Sequence, residues 1–164
     1  MLIGISDIRG KVGSQREIQR TVDLGSIELE SARVRSHPKA ELNLSLEVIV
    51  SGMSLAGTAR VTWTGECRRC LEDVAGELLS ELDEFFELNP TAGETYSLGA
   101  DVVDIEPAVR DAVVLCLPMT PLCTNDCVGP DPQRFPTTTE AEEPQTKEPP
   151  RDPRWAALDN VKFD

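Results

Sequence analysis

Apolar and polar residues alternate most cleanly between Leu42 and Trp63. Leu42, Leu44, Leu46, Val48 and Val50 occupy one parity, and Asn43, Ser45, Glu47 and Ile49 the other. That two-residue period is the mark of a half-buried strand. The stretch "SGMS" (51–54) reads as a turn, after which Leu55, Gly57, Ala59, Val61 and Trp63 resume the alternation against Ala56, Thr58, Arg60 and Thr62. The two runs predict adjacent antiparallel strands. Upstream, "SIELESARV" sets Ile27 and Leu29 on one parity and Ala32 and Val34 on the other, a slip of phase such as a bulge produces. Three consecutive strands are expected.

The next segment, "LEDVAGELLSELDEFFEL", fits two periods at once. Leu71, Val74, Leu78, Leu82 and Phe85 form a helical stripe, whereas Val74, Leu78, Leu82, Phe86 and Leu88 share one parity, as in a strand. Composition favours a helix. Gly76 and the lack of a breaker after the preceding strand favour a strand, so the residues alone leave both open. "DIEPAVRDAVVLCLP" is plainer: Pro107 suits a first helical turn, Val109, Ala112, Val113 and Cys116 make an apolar stripe, and Pro118 ends it. Cys116 is accordingly expected in the core. Beyond Cys127 the chain turns rich in Pro, Thr and Glu, too poor in apolar surface to offset the entropy of ordering. The expected organisation is a β-rich domain over 1–129, a disordered linker over 130–151, and a short helix or docking tail over 152–164. In the tail Asp152 caps, Pro153 starts the turn, and Trp155, Leu158 and Val161 line one side.

Charge changes this picture in one respect. The net charge of the 164-residue chain is -13, which opposes non-specific binding to phosphate backbones. The acids are concentrated: residues 71–111 hold twelve (Glu72, Asp73, Glu77, Glu81, Asp83, Glu84, Glu87, Glu94, Asp101, Asp104, Glu106, Asp111) against Arg110 alone, while residues 1–70 hold ten bases and eight acids. One acidic surface and one mildly basic part are expected, the acidic one serving either as a solvated face or as a dock for a basic partner. No charged, apolar, small-residue leader opens the chain and no apolar run reaches the ~20 residues of a membrane span, so a cytoplasmic location without membrane contact is expected.

Candidate chemistry rests on cysteine. Cys67 and Cys70 bracket Arg68 and Arg69 at a strand end, and Cys123 and Cys127 lie in "PLCTNDCVG" after the helix. Four thiolates from two turns match the number and local spacing of tetrahedral zinc, with Arg68 and Arg69 helping to hold them deprotonated. Plain buried or solvent-facing thiols are the competing reading, given the 52 residues between the pairs. A redox dithiol at Cys67 and Cys70 fits less well, because the setting is antiparallel and not a βαβ unit. The lone histidine, His37, precedes Pro38 in an expected exposed turn and has no triad around it. No phosphate-binding Gly-rich loop and no distinctive acid pair occurs, so neither enzymatic activity nor a small-molecule substrate is expected. One tyrosine and four phenylalanines leave little for base-stacking platforms.

Taken together, "GTARVTWTGECRRCLEDV", "DEFFEL", "VVDIEPAVRDAVVLCLPMTPLCTNDCVG" and the closing "DPRWAALDNVKFD" resemble the YceD family, also named the large ribosomal RNA subunit accumulation protein family. The resemblance runs from about residue 24 to the end, the linker excepted. It implies a cytoplasmic bacterial protein needed for normal accumulation of large-subunit ribosomal RNA, with no established enzymatic activity. It also implies that residues 73–88 form a strand, since relatives carry β-branched residues there. The fold it suggests is α+β, mainly an antiparallel sheet or partly open barrel with one or two short helices. Many relatives continue with a Gly-Leu-Cys-x-x-Cys-Gly run where this chain has Asp131 and Arg134, so a metal here would draw on Cys67, Cys70, Cys123 and Cys127. The resulting expectation is a non-enzymatic factor in large-subunit biogenesis, acting on ribosomal RNA directly or through a basic ribosomal protein or assembly factor. A zinc-binding interaction module and a thiol redox sensor are the alternatives.

Overall fold

Alternating side chains bury one face of a strand and leave the other wet, and here three long strands do so side by side. A computed structural model describes residues 1–135. Its elements are β1 (Leu2–Gly4), β2 (Gln15–Asp23), β3 (Glu28–Leu29), β4 (Val34–Ile49), β5 (Gly52–Glu66), β6 (Asp73–Glu87), β7 (Tyr96–Ser97), β8 (Val102–Asp104) and α1 (Glu106–Cys116). A six-stranded open sheet runs β2-β4-β5-β6-β7, with β3 also on β4; β1 and β8 form a separate pair. Every pairing is antiparallel except β6 with β7.

The inward parities build one core. Leu42, Leu44, Leu46 and Val48 of β4 meet Met53, Leu55, Ala59 and Val61 of β5 and Leu78, Leu82 and Phe86 of β6. Ala108, Val109, Ala112 and Val113 of α1 close over them. The helix is anchored by Ser80 of β6, fully buried, whose hydroxyl donates to the Ala112 carbonyl at 2.9 Å. At mid-sheet, Gly57 has φ +138°, and a Cβ there would lie 2.3 Å from the Asn43 carbonyl oxygen of β4. Only glycine fits that approach.

The segment read equally as helix or strand is β6, because its inward parity faces the core along the full length of β5. Several expectations need correction. The β4–β5 hairpin turns on Val50 and Ser51 alone, since Ile49 already pairs with Gly52. Val50, expected on the buried face, is 91% exposed, and Met53, expected in the turn, is in the core. The phase slip after Leu29 is a 3-10 turn over Glu30–Ala32, closed by Arg33 at φ 52°, which folds β3 back onto β4. The bulge lies further on, between Ser36 and Ala40, where Pro38 has no N–H for the ladder. His37 is exposed within that irregular stretch of β4 and not in a turn. Cys116 is exposed at the last turn of α1, its Sγ 3.3 Å from the Ser80 Oγ, because the buried stripe ends at Val113. β1, β2, β7 and β8 lie outside the expected strands. The tail over 152–164 and the linker from residue 136 onward lie outside the described residues.

Candidate functional site

The turn between β5 and β6 is built to aim two sulfurs the same way. The Cys67 N–H donates to the Glu72 carbonyl at 2.8 Å, and the Leu71 N–H returns to the Cys67 carbonyl at 3.0 Å. The Arg69 N–H reaches the Cys67 Sγ at 3.4 Å. To close this loop Leu71 takes φ +64°, a conformation in which an L side chain crowds its own carbonyl at a cost of ~1 kcal/mol or more. Leu71 is 62% exposed and loses little by truncation. Leu71→Gly is therefore expected to raise unfolding free energy by up to about 1 kcal/mol, and Leu71→Val to lower it, as read by urea titration.

The second turn is held against the first. The Arg68 N–H donates to the Pro121 carbonyl at 2.9 Å, and the Arg69 guanidinium donates to the Cys127 carbonyl at 2.8 Å and to the Asn125 carbonyl at 3.4 Å. The Arg68 guanidinium reaches the Ser31 carbonyl. The two guanidinium groups thus clamp backbone of the neighbouring segments. Nothing in the sequence alone distinguishes such a clamp from an exposed pair of charges.

This clamp brings all four sequence-predicted cysteines together. Cys67 Sγ lies 3.8 Å from Cys127 Sγ, Cys70 Sγ lies 3.6 Å from Cys123 Sγ, and all four sulfurs fall within 4.8 Å of one another. Four sulfurs about 2.3 Å from a central zinc would stand roughly 3.8 Å apart, whereas a disulfide needs about 2.05 Å. The donor set therefore fits tetrahedral zinc in number, chemistry and spacing. Cys67 and Cys127 are buried, Cys70 is half-buried and Cys123 exposed. Among the described residues no other group of His, Cys, Asp or Glu qualifies.

Electrostatics divides the sulfurs. The backbone N–H of Cys70, opposed by burial and aided by the N–H groups of Arg69 and Cys123, lowers the Cys67 thiol to about 6. The Glu72 N–H pulls Cys70 down, but burial and the neighbouring thiols outweigh it and push Cys70 up to about 12. Cys127 likewise drives Cys123 upward. Four adjacent thiolates repel one another, and a zinc ion held by Cys67, Cys70, Cys123 and Cys127 would supply the positive charge that keeps them deprotonated.

The acidic segment is divided by the pleat. Glu77, Glu81 and Asp83 lie exposed on the open face of β6, with the Arg60 guanidinium 2.5 Å from Glu77. Glu84 has the opposite parity and shares a hollow of about 450 Å³ with Glu94, Tyr96, Asp111, Val114 and Leu115. There the Tyr96 hydroxyl donates to Asp111 at 2.9 Å. Burial, then repulsion from Asp111 and Asp83, holds the Glu84 carboxyl above the usual carboxylate range. A carboxyl with a raised folded-state pKa favours the fold when protonated, and that stability is lost as pH rises from the unfolded toward the folded pKa. Glu84→Gln should accordingly raise stability near neutral pH by a few tenths of a kcal/mol. The gain should vanish below the ordinary Glu value of about 4.3, as thermal melts across pH would show.

Of the eight basic side chains of residues 1–60 (Arg9, Lys11, Arg16, Arg20, Arg33, Arg35, Lys39 and Arg60), four are matched by carboxylates. Arg16 pairs with Asp7, Arg33 with Glu66, Arg35 with Glu28 and Arg60 with Glu77. Arg35, His37, Pro38, Trp63 and Gly76 border a groove of about 730 Å³. No described helix is long and apolar enough to cross a membrane.

Comparison with known proteins gives one family. The family model "Large ribosomal RNA subunit accumulation protein YceD" matches residues 55–162. An uncharacterised protein of Mycobacterium tuberculosis is 31% identical over 166 residues, covering 96% of this chain and 79% of that relative, and one of Mycobacterium bovis matches to the same extent. An uncharacterised Mycobacterium leprae protein is 29% identical over 137 residues, 79% of this chain and 63% of its own. No solved structure matches.

Proposed function

Because this chain belongs to the YceD family, the large ribosomal RNA subunit accumulation proteins, we propose that it is a non-enzymatic, cytoplasmic factor in large ribosomal subunit biogenesis. It acts by holding a basic ribosomal protein or assembly factor on its acidic surface. The observation that carries the ribosomal role is the family match, which spans β5 to the end of the described fold and beyond. The choice of a protein partner over direct contact with RNA rests on charge. Four of the eight basic side chains of residues 1–60 are already matched by carboxylates, and twelve acids of residues 71–111 repel a phosphate backbone within a Debye length of ~8 Å.

Sucrose-gradient ribosome profiles from a strain lacking the protein test the role; an unchanged ratio of large to small subunits refutes it. Affinity capture tests the mechanism, and recovery of RNA with no basic protein would overturn it. A second reading is favoured by the sulfur geometry: a zinc-dependent interaction module without a ribosomal role. Normal ribosome profiles together with stoichiometric zinc would select it.

A further inference from the structure

Among the described residues the main sheet ends at β6 in an edge with unpaired backbone groups. On one side β6 is paired with β5 from Asp73 to Phe86. On the other side β7 pairs only with Phe86 and Glu87, and in parallel. From Asp73 to Phe85, among the described residues, no strand lies alongside and no loop donates to or accepts from the outward backbone groups. At ~3.3 Å per residue this unpaired edge is roughly 40 Å long. Such an edge is a template for another strand unless charge or cover blocks it.

We propose that this edge receives an extended, lysine- or arginine-rich segment of a partner protein as an additional strand. It rests on the preceding reading only for who the partner is. Backbone pairing would supply affinity, and the side chains on the two faces of β6 would supply selection. On the open face Glu81 and Asp83, beside the Glu77 that Arg60 already holds, stand where cross-strand neighbours approach within about 5 Å, so bases on the incoming strand meet carboxylates. On the other face Glu84 and Asp111 share their hollow with Val114 and Leu115, which are 38% and 85% exposed. That combination suits a basic side chain, with an apolar bed for the stem and carboxylates for the head. Burial first, and then the carboxylates of Asp111 and Asp83, hold the Glu84 pKa up, and a cation in the hollow would relieve the second of these.

Charge also chooses among occupants. Residues 136–164 hold seven acids against four bases, the sign of the edge itself. A second copy pairing β6 on β6 would set acid against acid, and RNA is repelled for the same reason.

The test uses the full chain and a synthetic peptide of about ten residues alternating Lys and Val, with a twin N-methylated at alternate amides so that charge is kept and strand pairing is not. Hydrogen exchange is followed residue by residue, and affinity by calorimetry. The expected result is slowed exchange confined to residues 73–85 and the hairpin behind them. Affinity should fall at least about tenfold for the methylated twin and for a Glu81→Lys, Asp83→Lys variant. Equal binding of the twin, protection elsewhere, no binding at all, or the same protection by single-stranded RNA would each overturn the proposal. Ribosome profiles are scored separately. Normal profiles with peptide binding intact remove the ribosomal reading and leave the edge; altered profiles without protection of 73–85 do the reverse.

Discussion

Purified full-length protein is expected to carry one zinc ion per chain, and Cys67→Ser to carry none. The four sulfurs already stand at the edge lengths of a zinc tetrahedron, at 3.6 and 3.8 Å for the two pairs. Cys67 is fully buried and receives the backbone N–H groups that lower its thiol, so it supplies the most preorganised ligand. Losing it removes the ion and leaves the remaining thiols crowded without a cation. Structural zinc contributes on the order of 10 kcal/mol to metal-dependent peptides. Here a core exists independently, so a loss of several kcal/mol is expected, lowering the thermal midpoint by about 10 °C or more. Cys123→Ser, at the exposed corner, should also lose the ion but cost less stability. Because ligands must be deprotonated, zinc should leave as pH falls. Elemental analysis and calorimetry with and without a chelator decide it: zinc-free wild-type protein with a midpoint indifferent to chelator would refute the site.

Gly57→Ala should be among the most damaging changes away from the cysteines. Its φ of +138° is a region L residues avoid, and the new methyl would sit 2.3 Å from the Asn43 carbonyl oxygen and 2.8 Å from the Leu44 Cα. Neither obstacle is a side chain that can rotate away. Relief requires β4 and β5 to separate at the centre of the sheet. A loss of about 3 kcal/mol or more is expected in urea unfolding, combining backbone strain with overpacking. A variant within 1 kcal/mol (~) of wild type would mean that the sheet flexes here far more readily than close packing allows.

Where the chain was legible, one period dominated. β4 and β5 bury most of one parity each, and alternation announces them. β6 was ambiguous because Val74, Leu78 and Leu82 are spaced by four, which a strand and a helix both place on one face; its pairing with β5 decided between them. β2 escaped notice because, as an edge strand, it buries only Ile18 fully, and one inward residue makes no pattern. Cys116 was misplaced because a stripe of small apolar residues does not say where cover stops. At the candidate site the four cysteines stood out from their spacing alone. Their convergence did not, because it depends on a guanidinium of Arg69 meeting carbonyls of Asn125 and Cys127 almost sixty positions away.

That convergence splits the donors between a hairpin tip and a segment that follows the helix, with Cys70 and Cys123 separated by 53 positions. A fragment stopping short of Pro121 would offer two sulfurs and hold zinc no better than a simple dithiol. The ion would then act as a reporter of chain completeness, since it can be retained only after β5, β6 and α1 have all been synthesised and have come together.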